Sequence, residues 1–237
     1  MTDGILVLAA AAASIGFFHT LLGPDHYLPF IAMSRSGKWS LRKTVWVTVL
    51  CGAGHVLSSV LLGILGIMFG FAVSSVEAAE SFRGGLATWA LIAFGLVYFV
   101  WGIRRAMRHK SHEHLHMHEG DVDHVHHHDH STEHMHVHEA KNKKNMTPWV
   151  LFIIFILGPC EPLIPMLMYP AAKNSLAGLL LVTGIFGGTT ILTMLGIVLI
   201  STFGIDFLQV KRLERFTHAI AGAIICCCGI SILLFGL

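Results

Sequence analysis

Charged residues are scarce in this chain. They make up 13% of its 237 residues, whereas 54% are hydrophobic, and a soluble domain carries roughly 25% charged residues. The apolar residues occur in blocks, and a membrane-spanning helix needs about 20 of them. Six blocks qualify, at 5–33, 44–76, 86–103, 147–170, 175–205 and 216–237. The sequence therefore predicts an all-α polytopic membrane protein with six transmembrane helices.

Two further features are missing. The chain has five cysteines and no C-x-x-C pair, so they do not indicate a disulfide framework. It also lacks a G-x-x-x-x-G-K-[ST] phosphate-binding loop, so we expect no ATP hydrolysis and no enzyme activity. The net charge is +2, and most of the basic residues lie in the connections between the apolar blocks. They therefore indicate membrane topology, and no nucleic-acid partner is expected.

Lysine and arginine predict the orientation. With the N-terminus outside, 14 of the 16 basic residues fall in three cytoplasmic connections, as the positive-inside rule requires. We expect both termini outside, the long central loop in the cytoplasm, and a location in the cell (inner) membrane with the lipid bilayer as partner. Glu77, Glu80 and Arg83 are assigned to the outer side.

An internal repeat appears when "LGPDHYLPFIAM" (22–33) is aligned with "LGPCEPLIPMLM" (157–168). Asp25-His26 then matches Cys160-Glu161. Three helices per half invert the second half, which predicts a 3+3 inverted repeat with a broken first helix in each half. The domains are residues 1–103, a loop at 104–146, and 147–237.

The two Gly-Pro breaks indicate a functional site. Proline and glycine interrupt the helical hydrogen-bond ladder, and broken helices at matching positions are a sequence pointer to a transporter's substrate site. Ionisable residues inside a membrane are costly and usually functional. The candidate intramembrane metal ligands are His19, Asp25, His26, His55, Cys160 and Glu161. Imidazole suits Ni, Cu, Zn and Fe, and a thiolate would favour softer ions.

The central loop is rich in histidine: it holds 13 of the 17 histidines. Its composition cannot form a packed core, so we expect disorder in the absence of metal, and His-rich tracts bind metal. The predicted loop ligands are His112, His114, His116, His118, His124, His126, His127, His128, His130, His134, His136 and His138.

The stretch "HTLLGPDH" resembles the His-plus-Asp-His signature of nickel/cobalt transporters and the related urease-accessory membrane proteins. The His-rich loop is similar to that of the nickel/cobalt efflux members. The resemblance implies a transition-metal site of His19, Asp25, His26 and His55, although five residues rather than four separate His19 from Asp25-His26. We therefore expect transport of Ni2+ or Co2+, then Zn2+, with export slightly favoured and a cytoplasmic metallochaperone as a candidate partner.

Two other functions stay open. "LGPCEPLIP" is similar to the proline-flanked cysteine motifs of six-helix membrane thiol–disulfide electron carriers, but the counterpart of Cys160 in the first half is Asp25 rather than a second cysteine. Sulfite or organic-anion exporters share the helix plan, but an anion gives the histidine loop no purpose.

Overall fold

The computed structural model describes residues 2–108, 114–115, 125–126, 147–172, 175–206 and 211–235. Within them lie one pair of two-residue strands, β1 (His114–Leu115) antiparallel to β2 (Val125–His126), and 3-10 turns at Pro24–His26 and Lys211–Phe216. The α-helices are α1 (Thr2–Leu22), α2 (Leu28–Ser36), α3 (Leu41–Met68), α4 (Val73–Arg108), α5 (Thr147–Leu157), α6 (Leu163–Ala172), α7 (Leu176–Asp206) and α8 (Thr217–Phe235).

Within the described residues, four helices are long and apolar enough to cross a membrane, at Leu41–Met68, Val73–Arg108, Leu176–Gly204 and Glu214–Phe235. A fifth span results if the bent pair α1 and α2 is counted as one. Large apolar side chains on these helices face outward, such as Ile200, which is 74% exposed, as expected for side chains that contact lipid. The predicted all-helical integral membrane protein is confirmed. The described part of the chain contains four to five candidate spans, so the predicted six are not confirmed.

The predicted break in the first helix is confirmed. Segments Leu6–Leu22 and Pro24–Ser36 meet at 84°. Pro24 has no N–H to continue the helical ladder, and the Gly23 N–H closes the last turn of α1 by donating to the His19 carbonyl at 3.1 Å. A second interruption separates α5 from α6, where the Leu163 N–H donates to the Cys160 carbonyl at 2.9 Å.

The predicted boundaries of the second and third spans are wrong. α3 ends at Met68 instead of continuing to residue 76, and Gly70 follows with a φ of +67°, which favours glycine. α4 begins at Val73 rather than at residue 86. Glu77, Glu80 and Arg83 made the start of α4 resemble a loop, although Glu80 is fully buried there.

Helices α4 and α8 pack along each other at very short range. A Cβ on Gly95 would collide with the backbone of Cys226, and a Cβ on Gly222 would collide with the backbone of Phe99. Small residues allow this approach, as is usual between membrane helices. A separate buried cluster of α1, α3, α6 and α7 includes Ala12, Val56 and Phe186 and surrounds Cys160, so the second break lies inside the bundle.

Candidate functional site

Three histidines from separate elements meet at the first break. His19 lies in the last turn of α1, His26 ends the 3-10 turn, and His55 lies in the middle of α3. Each offers one ligand atom, and the three ligand atoms lie within 4.8 Å of one another. His26 and His55 are 3% and 2% exposed. The fold thus brings the imidazoles of three of the six predicted residues into one group of candidate ligands.

The orientation of His26 is set by its own turn. Its Nδ1 lies 3.1 Å from the Gly23 carbonyl and 3.1 Å from Asp25 Oδ1. A Cβ at position 23 would lie 2.5 Å from the same Nδ1, so glycine is needed for this close approach. Asp25 is therefore a neighbour that orients His26 through Nδ1, and the Nε2 side of the ring points toward His55.

The orientation of His55 depends on the second half of the chain. Its Nδ1 lies 3.4 Å from the carbonyl of Phe155, near the end of α5. Its Nε2 lies 3.3 Å from the Nε2 of His26. The two rings are nearly perpendicular, with centroids 5.0 Å apart. Both imidazoles thus turn their Nε2 atoms toward a common point.

Cys160 joins the cluster from the second break. Its side chain is fully buried, and its Sγ lies 3.9 Å from His19 Nε2. A cysteine beside an imidazole is the arrangement in which the ring nitrogen can take the thiol proton. All five cysteines lie in the described residues and all are free, so Cys160 is available as a thiol.

Sequence reasoning missed two residues that hold the second break in place. Arg83 Nη2 donates to the carbonyls of Ile156 and Gly158, at 2.9 and 3.1 Å. Arg83 Nη1 donates to Glu80 Oε1 at 2.9 Å, and Glu80 Oε2 accepts from the Cys160 N–H at 3.3 Å. Their spacing of three residues on an apolar helix was the available signal, because it places a glutamate and an arginine on one face.

The remaining predicted ligands are elsewhere. Glu161 follows Cys160 directly but is exposed, and within the described part of the chain it does not join the histidine group. The loop histidines lie outside the described residues, apart from the backbone of His114 and His126 in β1 and β2. Which of these residues bind metal stays a prediction.

Comparison with known families identifies the chain. The family described as cytochrome c biogenesis protein transmembrane region has a sequence model that matches residues 28–235. The chain therefore belongs to this family. No curated protein and no solved structure matches it. His55 and Cys160 lie inside the matched range, whereas His19, Asp25 and His26 precede it.

This finding corrects the resemblance drawn from "HTLLGPDH". The prediction that the chain is a nickel/cobalt transporter is wrong, and so is the function of Ni2+, Co2+ or Zn2+ transport that depended on it, because the family match spans most of the chain and is a different family. A metallochaperone partner loses its support with it. The likeness was drawn from the eight residues around one Gly-Pro break, from the His-rich loop and from the helix plan, none of which is specific to one family.

Proposed function

We propose that this chain carries electrons between thiols and disulfides through the membrane, as a component of cytochrome c biogenesis, with Cys160 as the exchanging thiol. The proposal draws on membership of the cytochrome c biogenesis transmembrane family. The observation that carries it within the structure is the pair formed by Cys160 Sγ and His19 Nε2 at 3.9 Å, where the two broken segments meet.

The thiolate rather than the thiol is the nucleophile in disulfide exchange. His19 Nε2 would take the proton from Cys160 Sγ, and the thiolate would attack one sulfur of a partner's disulfide. The S–S bond of the partner breaks, a mixed disulfide with Cys160 forms, and the partner's other sulfur leaves as a thiolate that takes up a proton.

A donor dithiol completes the cycle. One of its thiolates attacks the mixed disulfide and releases the second thiol of the acceptor, and its other thiolate then displaces Cys160 while the donor closes its own disulfide. Two electrons and two protons pass from the donor dithiol to the acceptor disulfide, and Cys160 returns to the thiol form.

The proposed mechanism uses only one cysteine of this chain, Cys160. Asp25 occupies the position in the first half that corresponds to Cys160, and none of the five cysteines forms a disulfide. We therefore propose that the oxidised intermediate is a mixed disulfide between Cys160 and a partner protein, rather than a disulfide within the chain.

The 3+3 inverted repeat belongs to the same proposal, with α1–α2 corresponding to α5–α6, α3 to α7, and α4 to α8. The helix contacts support it. α1 packs on α7 as α5 packs on α3, and the pairs α3–α7 and α4–α8 each join corresponding helices. Sidedness, with a cytoplasmic central loop, rests on the Lys and Arg distribution alone.

The test uses proteoliposomes that contain the purified chain. Reduced thioredoxin, a dithiol protein, is added outside, and a peptide with an internal disulfide and a fluorescent reporter of its reduction is enclosed inside. We expect wild-type protein to reduce the enclosed peptide and Cys160→Ser to fall to the level of empty liposomes.

The matched control is Cys227→Ser, because Cys227 is an exposed cysteine on α8. It should retain the wild-type rate. Reduction that persists in Cys160→Ser, or a wild-type rate no higher than that of empty liposomes, would disprove the proposed function.

A further inference from the structure

The Nδ1 atoms of the two buried histidines, His26 and His55, both face oxygen atoms that can accept a hydrogen bond. The groups that face Nδ1 of His26 are the Gly23 carbonyl and the Asp25 carboxylate, and the group that faces Nδ1 of His55 is the Phe155 carbonyl. A carbonyl oxygen can only accept. Each Nδ1 therefore carries the proton and donates, which leaves the Nε2 of each neutral ring as an acceptor with a lone pair.

With these tautomers, the Nε2 atoms of His26 and His55 are both left without a hydrogen-bond donor. The two Nε2 atoms face each other at 3.3 Å in the protein interior, and two acceptors cannot bond to one another. A buried polar atom without a partner is costly. A cation shared between the two nitrogens satisfies both lone pairs, so the choice is between a proton and a metal ion.

The spacing favours a metal ion. Two nitrogen ligands, each 2.0–2.1 Å from a tetrahedral zinc ion, lie about 3.3–3.4 Å apart, which agrees with the 3.3 Å observed. Charge-assisted hydrogen bonds from nitrogen to oxygen are shorter, at about 2.7–2.9 Å, and a proton shared between two nitrogens would draw them together in the same way. A shared proton also has no need of a third imidazole, whereas His19 places its ligand atom within 4.8 Å of the others.

The surroundings of the rings are those of metal ligands. A ligating histidine nearly always donates its other N–H to a carboxylate or a backbone carbonyl, which fixes the ring and its tautomer. The Asp25 carboxylate accepts from the Nδ1–H of His26, and the Phe155 carbonyl accepts from the Nδ1–H of His55. Three protein ligands and one open position form a known zinc arrangement.

We propose that His19, His26 and His55 form a binding site for one Zn2+ ion, or a cation of the same class. The site shares His19 with the proposed thiol exchange. It uses two histidines that the thiol chemistry leaves without a role, and zinc binding and thiol exchange are measured separately, so either proposal can fail without the other.

The test uses the full-length chain with its thirteen histidines at 109–138 replaced by serine, so that loop binding does not mask the site. Zinc affinity is measured by competition with a chromophoric chelator, and coordination by X-ray absorption at the zinc edge. We expect one ion per chain with imidazole nitrogens at about 2.0–2.1 Å.

Three variants in this background sharpen the test. His26→Gln and His55→Gln should each weaken zinc binding more than about 100-fold, because a ligand is lost, whereas Asp25→Asn should weaken it by about 10–100-fold, as outer partners do. The control is His218→Gln, since His218 contacts Tyr98 on α4 and lies outside the group.

Folding is verified for every variant by circular dichroism and size-exclusion chromatography. Folded His26→Gln and His55→Gln chains that bind zinc as tightly as the parent would overturn the proposal. A folded parent that binds no zinc would also overturn it and would assign the 3.3 Å contact to a shared proton.

Discussion

The backbone N–H of Cys160 donates to the carboxylate of Glu80 at 3.3 Å, although the two residues are eighty positions apart. The same carboxylate is paired with Arg83 at 2.9 Å. Glu80 is fully buried, and the Arg83 side chain is 19% exposed. α4 thereby holds the second break through one carboxylate and one guanidinium, which places Cys160 beside His19.

Removal of Arg83 should destabilise the protein strongly. Arg83→Ala leaves Glu80 as an unpaired buried charge, so we expect the free energy of unfolding to fall by about 3–5 kcal/mol. The double variant Glu80→Gln/Arg83→Ala should recover part of this loss, because the buried charge is gone. Denaturant unfolding in detergent micelles measures both.

The matched control for Arg83 is Arg42→Ala, which removes an exposed arginine on α3. A surface substitution of this kind should change the free energy of unfolding by less than about 0.5 kcal/mol. Equal effects of Arg83→Ala and Arg42→Ala would mean that the contacts from Arg83 to the second break do not stabilise it.

Gly23 should be intolerant of even a methyl group. In Gly23→Ala the new Cβ would lie 2.5 Å from His26 Nδ1, so the imidazole must move away from Asp25 and His55. We expect zinc binding by the loop-substituted chain to weaken at least about 10-fold, as for loss of an outer partner. The measurement is the chelator competition used for the histidine variants.

Gly85→Ala is the control for this substitution. A Cβ on Gly85 meets nothing within 4 Å, and alanine is favoured over glycine inside a helix by about 1 kcal/mol. This variant should keep its zinc affinity and gain slightly in stability. Similar affinities for Gly23→Ala and Gly85→Ala would show that the 3-10 turn adjusts to a methyl group at no cost to the site.

Local sequence signals predicted the first break and the meeting of His19, His26 and His55. Gly23 and Pro24 interrupt the helix in their own turn, and His55 is an ionisable residue inside an apolar helix. Both features can be recognised from the sequence without knowledge of the tertiary contacts. The sequence also indicated that Asp25 belongs to the site, because it directly precedes His26. Its contact with His26 Nδ1 is that of a neighbour that orients the ring, and whether Asp25 also binds metal stays a prediction.

The rest depended on tertiary packing. Glu80 and Arg83 seemed to belong to an outer loop because their charges interrupt the apolar pattern. Arg83 nevertheless donates to the carbonyls of Ile156 and Gly158, more than seventy residues away, and Glu80 accepts from the Cys160 N–H, eighty residues away. The helix pattern cannot reveal such a partner. The family was also misjudged, because a short motif at one break and the composition of the His-rich loop were weighed above the sequence of the remaining helices, which the family model matches.

The contact between α4 and α8 should be sensitive to added volume. In Gly95→Ala the new Cβ would meet the backbone of Cys226 on α8, and backbone cannot rotate away as a flexible side chain does. We expect a loss of about 1–3 kcal/mol in the free energy of unfolding, as for overpacked cores. Gly188→Ala on α7 is the control, because its Cβ meets nothing within 4 Å. A loss no larger than that of Gly188→Ala would show that the two helices can separate freely.

His19 should control the rate of thiol exchange. His19→Gln removes the imidazole that lies 3.9 Å from Cys160 Sγ, and a positioned base contributes about 100- to 10,000-fold in rate. We expect reduction of the enclosed peptide to slow by at least about 100-fold. The control His218→Gln removes a histidine that contacts Tyr98 instead, and it should retain the wild-type rate. Equal rates for the two variants would exclude His19 as the base.

Zinc should slow the same reaction if both proposals hold. An ion bound to the lone pair of His19 leaves Cys160 without its base, so saturating Zn2+ should lower the exchange rate of the loop-substituted chain. In His26→Gln, whatever its own rate, added zinc should produce no further change, because the ion is no longer held beside Cys160. Proteoliposome assays with and without Zn2+ give the ratio for each chain. An equal slowing in both chains would mean that zinc acts elsewhere, and would separate the histidine group from the control of the thiol.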